Sequence, residues 1–171
     1  MQTAHDHRRP RALLVDDDPI VLAILSSLLG ELGIECVQAR DGRSGLRQLT
    51  EDLLSLDLLV TDLNMPDLTG DALVLAVREL GGEHDLPIVV ASSFLDAGRA
   101  EALRVAGANA VVDKSRGLGP VAAAARSLLA ARGQLDSAPG ELEAALQSVA
   151  EAAPRTTPVP LFRIPLARAR H

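Results

Sequence analysis

The sequence predicts an α/β protein built on a five-stranded, doubly wound parallel sheet with helices on both faces. Short apolar runs alternate with longer segments of helical periodicity, and this alternation repeats five times within about 120 residues. The runs are mostly apolar throughout, as expected for strands that are covered on both faces. Each predicted strand therefore precedes a helix, giving five β-then-α units.

The predicted strands are short runs dominated by Ala, Leu, Ile and Val. In chain order they are Ala12–Val15, Ile34–Val37, Leu58–Thr61, Ile88–Ala91 and Ala110–Val112. Right-handed crossovers place the carboxyl ends of the first, third, fourth and fifth strands at one edge of the sheet. Because open α/β sheets bind ligands at that edge, the functional residues are expected there.

The predicted helices have apolar residues spaced three and four apart. In chain order they are Pro19–Leu32, Arg43–Asp52, Asp71–Leu80, Ala97–Ala106 and Leu118–Ala131. The first begins at a proline that follows Asp18, a pair typical of a helix N-cap and first turn.

Composition narrows the class of protein. Hydrophobic residues make up 47% of the 171 residues, enough for a buried core, but Phe94 and Phe162 are the only aromatic residues. No base-stacking surface is predicted. Cys36 is the only cysteine, which excludes an internal disulfide, and we expect it to lie in the core. No segment approaches the roughly 20 apolar residues that span a bilayer, and no signal peptide is evident, so a cytoplasmic location is expected.

Charge is distributed unevenly along the chain. The total is −6, whereas residues 1–11 carry +2 and residues 153–171 carry +4, which leaves −12 on the segment between them. An acidic body argues against binding to the phosphate backbone of a nucleic acid. We therefore expect no nucleic-acid partner and no membrane partner.

Polar residues follow four of the predicted strands. The first strand runs into Asp16 and Asp17, the third into Asp62, the fourth into Ser92 and the fifth into Lys114. Carboxylates that converge in this way repel each other unless a cation lies among them, and hard oxygen ligands suit Mg²⁺. The alternative is that each Asp merely caps the following helix, which fits Asp18 best.

Lys114 supports the same interpretation independently. The chain has 16 arginines and this single lysine. An ammonium is a compact point charge that suits one phosphate or carboxylate oxygen in a tight site, whereas guanidinium is a wide planar fork. The placement of the only lysine at a strand end therefore indicates a site that binds such an oxygen.

The segments VDDDP, LVTDLNMPDLTG, PIVVASS and GANAVVDKS occur in this order. Because of these segments, residues 11–132 resemble a response-regulator receiver domain of two-component signalling, which has a (βα)5 flavodoxin-like fold. The resemblance implies that Asp62 is the phosphoacceptor and that a histidine kinase or histidine phosphotransfer protein is the donor. It also implies Mg²⁺ held by Asp17, Asp62 and the backbone carbonyl of Asn64, with Asp16 acting through water.

By the same resemblance, Ser92 takes the position of the switch hydroxyl and Lys114 that of the invariant lysine. Two departures affect the coupling of the site to the surface: Val111 stands where receivers commonly have Tyr or Phe, and Ser115 stands where proline is common. Asn64 and Phe94 occupy positions that can gate the hydrolytic water. Phe94 either covers the phosphoryl group or serves only as a packing or partner contact.

Three functions are considered. The first is a signalling switch that assists its own phosphorylation and dephosphorylation without being a true enzyme. The second is a receiver-shaped interaction scaffold that is not phosphorylated. The third is a Mg²⁺-dependent aspartyl-phosphate phosphohydrolase, which is disfavoured because such enzymes place Asp-x-Asp after the first strand, whereas Asp62 follows the third and Asn64 stands two positions on.

The predicted organisation has an N-terminal arm at 1–10, a receiver domain at 11–132, a linker at 133–140, an amphipathic helix at 141–152 and a Pro/Arg-rich tail at 153–171. The tail is expected to be disordered, with a docking role as the alternative. The last 39 residues are too few for a usual DNA-binding output domain. Output is therefore expected through an unknown downstream protein, with homodimer formation left open.

Overall fold

The computed structural model describes residues 8–81 and 85–135. The predicted amphipathic helix at 141–152 and the Pro/Arg-rich tail lie outside the described residues, as do most of the predicted linker and arm. Within the described ranges, no helix is both long enough and apolar enough to cross a membrane.

Five parallel strands form a single sheet. They are β1 (Arg11–Val15), β2 (Glu35–Ala39), β3 (Leu58–Asp62), β4 (Ile88–Ser92) and β5 (Ala110–Asp113). Their order across the sheet is β2-β1-β3-β4-β5, and every neighbouring pair is parallel. The prediction of a five-stranded doubly wound parallel sheet is confirmed.

A helix follows each strand. The helices are α1 (Pro19–Glu31), α2 (Gly42–Asp52), α3 (Gly70–Gly81), α4 (Ala97–Ala106) and α5 (Gly119–Ala131). Short 3-10 turns at Leu53–Ser55 and Lys114–Arg116 were not predicted. The Asp18 side chain accepts a hydrogen bond from the Ile20 N–H at 2.8 Å, so it is the N-cap of α1, as the sequence predicts.

Two apolar layers cover the sheet. The layer that includes α2, α3 and α4 is built around Leu13, Leu59, Val77 and Ile88. The layer that includes α1 and α5 is built around residues such as Leu22 and Leu129. Successive residues of β1 and β3 contribute to opposite layers, which explains why these strands are apolar on both faces. This packing fixes the strand ends in space.

Two expectations require correction. The second strand does not run over Ile34–Val37 but over Glu35–Ala39, because its register follows β1, with Arg11 opposite Glu35 and Val15 opposite Ala39. Cys36 is only partly buried on this edge strand and packs against the layer of α1 and α5. An edge strand has only one neighbouring strand, so its side chains are less completely covered.

A buried carboxylate lies at the amino-terminal edge of the sheet, opposite the carboxyl ends of the strands. Asp57, just before β3, accepts hydrogen bonds from the Arg11 N–H at 2.8 Å, from Gln134 at 2.6 Å and from Arg8 at 3.1 Å. Through Arg8 and Gln134, Asp57 thus links the segment before β1 and the segment after α5 to the start of β3.

Candidate functional site

Four polar side chains lie at the carboxyl edge of the sheet. Asp16 follows β1, Asp62 ends β3, Ser92 ends β4 and Lys114 follows β5. The register pairs Asp62 with Ala91 and Ser92 with Asp113, so the ends of the last three strands are level. The predicted convergence of these residues is therefore present in the structure.

Lys114 joins the two buried carboxylates. Its Nζ lies 2.7 Å from Asp16 Oδ2 and 2.7 Å from Asp62 Oδ1. The three side chains are only 10%, 4% and 7% exposed, respectively, so this triad is largely shielded from water. One ammonium therefore neutralises only one of the two buried negative charges.

Burial and pairing shift two of these pKa values. Desolvation raises the pKa of Asp16, although the hydrogen bond from Lys114 and the bond from the Asp18 N–H act in the opposite direction. Burial acts to lower the pKa of Lys114, but its hydrogen bonds to Asp16 and Asp62 and their negative charges outweigh burial and raise it. Lys114 is therefore held in its charged form.

The three aspartates after β1 have different surroundings. Both oxygens of Asp16 are engaged, because Oδ2 contacts Lys114 and Oδ1 accepts a hydrogen bond from the Asp18 N–H at 3.0 Å. Asp17 is exposed at the surface. Asp18 caps α1. The run of three acids thus divides into one buried partner of the lysine, one exposed carboxylate and one helix cap.

The loop after β3 approaches the site closely. The Asn64 N–H donates to Asp62 Oδ2 at 3.0 Å, and the Gly70 N–H donates to the Leu63 carbonyl at 3.0 Å. A Cβ atom at Gly70 would lie only 2.1 Å from the Asp62 carbonyl oxygen. Glycine is therefore required at the start of α3, where the helix backbone lies against the backbone of Asp62.

Ser92 is fully buried and contacts the loops after both β3 and β4. Its Oγ accepts hydrogen bonds from Asn64 Nδ2 at 3.2 Å and from the Phe94 N–H at 3.3 Å. The same Oγ donates to the Phe94 carbonyl at 3.4 Å. The hydroxyl at the end of β4 is thus tied to the loop that leads into α4.

The side chains of Phe94 and Val111, the two remaining predicted switch residues, are not part of the cluster formed by Asp16, Asp62, Ser92 and Lys114. Phe94 is 83% exposed, so its side chain is turned towards solvent in this conformation. Val111 is partly buried in β5 and packs against the layer of α2, α3 and α4. Lys114 starts a short 3-10 turn that Asp113 caps through the Ser115 N–H at 2.8 Å.

The residues present fit a hydrated divalent cation. Asp16, Asp17 and Asp62 carry three negative charges and Lys114 one positive charge, which leaves a net charge of −2 that a dication would balance. Within residues 8–81 and 85–135, no three His, Cys, Asp or Glu side chains are grouped closely enough to hold a metal ion. The set implied for Mg²⁺ does not need such a group, because Mg²⁺ retains several waters and is commonly held by one or two carboxylates.

Comparison with known proteins identifies the family. Residues 12–126 match the family described as "Response regulator receiver domain". The chain is also 36% identical over 132 residues to transcriptional regulatory protein PrrA of Mycobacterium tuberculosis, covering 77% of this chain and 55% of PrrA. The chain thus spans about half the length of this relative. It belongs to the response-regulator receiver family of two-component signalling, whose members are switches and not classical enzymes.

Solved structures show the same fold. A response regulator receiver domain from Clostridium thermocellum has a TM-score of 0.65 at 22% identity, covering 72% of this chain and 97% of that one. Response regulator TrrA of Thermotoga maritima, solved in complex with Mg²⁺ and beryllofluoride, has a TM-score of 0.61 at 26% identity, covering 70% of this chain and 99% of that one. The flavodoxin-like receiver fold is confirmed.

Two features of the described residues were not predicted. The Asn64 amide was not expected to contact Ser92, because that contact depends on the path of the loop after β3. The buried Asp57 was also missed. Its position between Leu56 and Leu58, at the start of an apolar strand, is a signal that could have indicated burial.

Proposed function

We propose that this chain is a phosphorylation-dependent switch in which Asp62 accepts a phosphoryl group from a phosphohistidine on a histidine kinase or phosphotransfer protein. The observation that carries the proposal is the triad in which Lys114 Nζ lies 2.7 Å from both Asp16 and Asp62 at the carboxyl edge of the sheet. The receiver unit comprises residues 11–132. A cytoplasmic location is part of this proposal.

Each residue has a distinct part in the proposed reaction. A carboxylate oxygen of Asp62 attacks phosphorus as the bond from phosphorus to the donor imidazole nitrogen breaks, which yields an acyl phosphate. Lys114 is held charged beside Asp62 and offsets negative charge on the transferring oxygens. Near burial of the triad keeps these interactions in a low-dielectric environment.

Mg²⁺ is the proposed cofactor, with Asp17, Asp62 and the Asn64 carbonyl as ligands and Asp16 acting through water. When bound, it would supply charge neutralisation for the phosphoryl oxygens. The engagement of both Asp16 oxygens by Lys114 and the Asp18 N–H supports an indirect role for Asp16. The exposed position of Asp17 supports a ligand that meets the ion from solution.

Output is proposed to run through protein contacts. The phosphoryl group would recruit the Ser92 hydroxyl and shift an equilibrium between two arrangements of the surface around α4, β5 and α5. A downstream protein would bind one arrangement better than the other.

The test is covalent labelling with acetyl phosphate and Mg²⁺, read by intact-protein mass. Wild-type protein should gain the mass of one phosphoryl group, whereas Asp62→Asn should gain none and should retain its fold, because an amide has nearly the same shape as the carboxylate but forms no acyl phosphate. Circular dichroism checks the fold of the variant.

The same experiment separates the three functions. Wild-type protein that neither gains mass nor binds beryllofluoride would favour the interaction scaffold. Equal labelling of Asp62→Asn and wild type would show that Asp62 is not the acceptor. Turnover of a small phosphate ester, lost in Asp62→Asn, would instead favour the phosphohydrolase.

A further inference from the structure

The hydroxyl of Ser92 has all of its hydrogen-bonding capacity in use. A serine hydroxyl donates one hydrogen bond and accepts two. Here it donates to the Phe94 carbonyl and accepts from the Phe94 N–H and from Asn64 Nδ2. Because Ser92 is fully buried, these two residues define the resting position of the hydroxyl.

A phosphoryl group on Asp62 would compete for the single Ser92 proton. The hydroxyl cannot donate to the Phe94 carbonyl and to a phosphoryl oxygen at the same time. The bond that forms is from Ser92 Oγ–H to the phosphoryl oxygen, and the bond that breaks is from the same O–H to the Phe94 carbonyl. Engagement of Ser92 therefore releases the carbonyl of Phe94.

On the basis of the proposed function, we propose that the side chain of Asn64 is a latch that holds Ser92 in its resting position. Asn64 contacts both the proposed phosphoacceptor and the hydroxyl. Its N–H donates to Asp62 Oδ2, and its side-chain amide donates to Ser92 Oγ. It is a positioning residue, since it acts on the site through the serine hydroxyl. The latch stabilises the state in which Ser92 is bonded to Phe94.

The distances indicate how strong the latch is. The three contacts of Ser92 Oγ, at 3.2, 3.3 and 3.4 Å, lie at or beyond the long end of the range for good hydrogen bonds. Each of these hydrogen bonds is therefore weak. Loss of one such bond should shift the equilibrium about two- to tenfold towards the engaged state.

The decisive variant is Asn64→Leu, which keeps the shape of the side chain but removes its N–H donors. We would titrate wild type, Asn64→Leu, Ser92→Ala and the double variant with beryllofluoride at saturating Mg²⁺ and follow the backbone amide resonances. In the presence of Ser92, Asn64→Leu should tighten beryllofluoride binding about two- to tenfold. In the Ser92→Ala background it should have no effect, because the latch then has nothing to hold.

A second readout needs no ligand. In unliganded Asn64→Leu, the Phe94 amide resonance should move part of the way towards its position in beryllofluoride-bound wild type. Asn64→Ala should behave in the same way if the lost hydrogen bond, and not the altered volume, causes the change.

Each alternative outcome is informative. Equal affinities of wild type and Asn64→Leu would overturn the latch, as would an equal change with and without Ser92, because Asn64 would then act independently of the hydroxyl. Absence of beryllofluoride binding to wild type would remove the proposed function and the latch together. Normal binding that is unaffected by Asn64 would remove the latch alone.

Discussion

Substitution of Lys114 should destabilise the protein, because its ammonium offsets the repulsion between two buried carboxylates. In Lys114→Met, an apolar chain of similar length replaces the ammonium, so Asp16 and Asp62 are left as two buried carboxylates without their shared cation. The oxygens that contact the lysine each lie 2.7 Å from Nζ, so they are no more than twice that distance apart. Repulsion between them is then the dominant new term.

The size of the effect follows from this geometry. At an effective dielectric constant of about 20, two unit charges at that separation repel by about 3 kcal/mol. Removal of one partner from a buried ion pair is typically destabilising by about 3–5 kcal/mol. We therefore expect Lys114→Met to lower the free energy of unfolding by about 3 kcal/mol near neutral pH without Mg²⁺.

The loss should depend on pH with a definite sign. Burial already raises the pKa of Asp16, and the variant also lacks the lysine that lowers it, so Asp16 titrates higher still when folded. A carboxyl group whose pKa is raised on folding makes the protein progressively less stable as the pH rises from its unfolded-state pKa through its folded-state pKa. Wild-type Lys114, whose pKa is also raised, stays charged across this range. The difference between the proteins should therefore shrink as the pH falls.

Urea denaturation in EDTA at several pH values measures this difference. Arg104→Met is a matched control, because its ion pair with Glu101, at 3.6 Å, is exposed, and the change should be within about 0.5 kcal/mol of zero. Adding Asp62→Asn to Lys114→Met should recover most of the loss by leaving a single buried charge. A Lys114→Met protein as stable as wild type, or a double variant as unstable as Lys114→Met, would refute the proposal that Lys114 offsets the charges of Asp16 and Asp62.

Three further predictions follow from the described contacts. Asp17→Ala should weaken Mg²⁺ binding more than Asp16→Ala, because Asp17 is the proposed direct ligand; equal affinities in a calorimetric titration would contradict this. Gly70→Ala should lower the free energy of unfolding by about 2 kcal/mol or more, since its Cβ would lie 2.1 Å from the Asp62 carbonyl oxygen. An unchanged melting temperature would show that the loop after β3 can move to accommodate the methyl group. Asp57→Ala should lower the free energy of denaturant unfolding by about 1–2 kcal/mol because it leaves partly buried donors unpaired, and a loss under 0.5 kcal/mol would argue against this.

The fold could be predicted because its determinants are local. Buried strands such as Leu58–Asp62 are apolar on both faces, and the Asp18-Pro19 pair marks the start of α1. The second strand was misplaced for the opposite reason. It lies at an edge, its register is fixed by pairing with β1, and it continues through the polar residue Gln38 to Ala39, beyond the point where the apolar run ends.

The convergence of the strand-end residues was predictable, but their contacts were not. The topology alone brings Asp16, Asp62, Ser92 and Lys114 to one edge of the sheet. Which aspartate pairs with the lysine depends on rotations within a single turn of chain, and residue type carries no signal for those rotations. The same limit applies to the contact between Asn64 and Ser92, which arises from loop geometry.

The absence of an aromatic residue at Val111 has a structural consequence under the latch proposal. Valine has a stiff side chain with no ring to move between buried and exposed positions, and Val111 is packed against the core. Among the described residues, Phe94 is the only aromatic residue, and both of its backbone groups bond to Ser92. The signal would then leave the site through the backbone that leads from Ser92 into α4, which begins at Ala97. A partner that distinguishes the two states should therefore contact the N-terminal end of α4 in preference to β5.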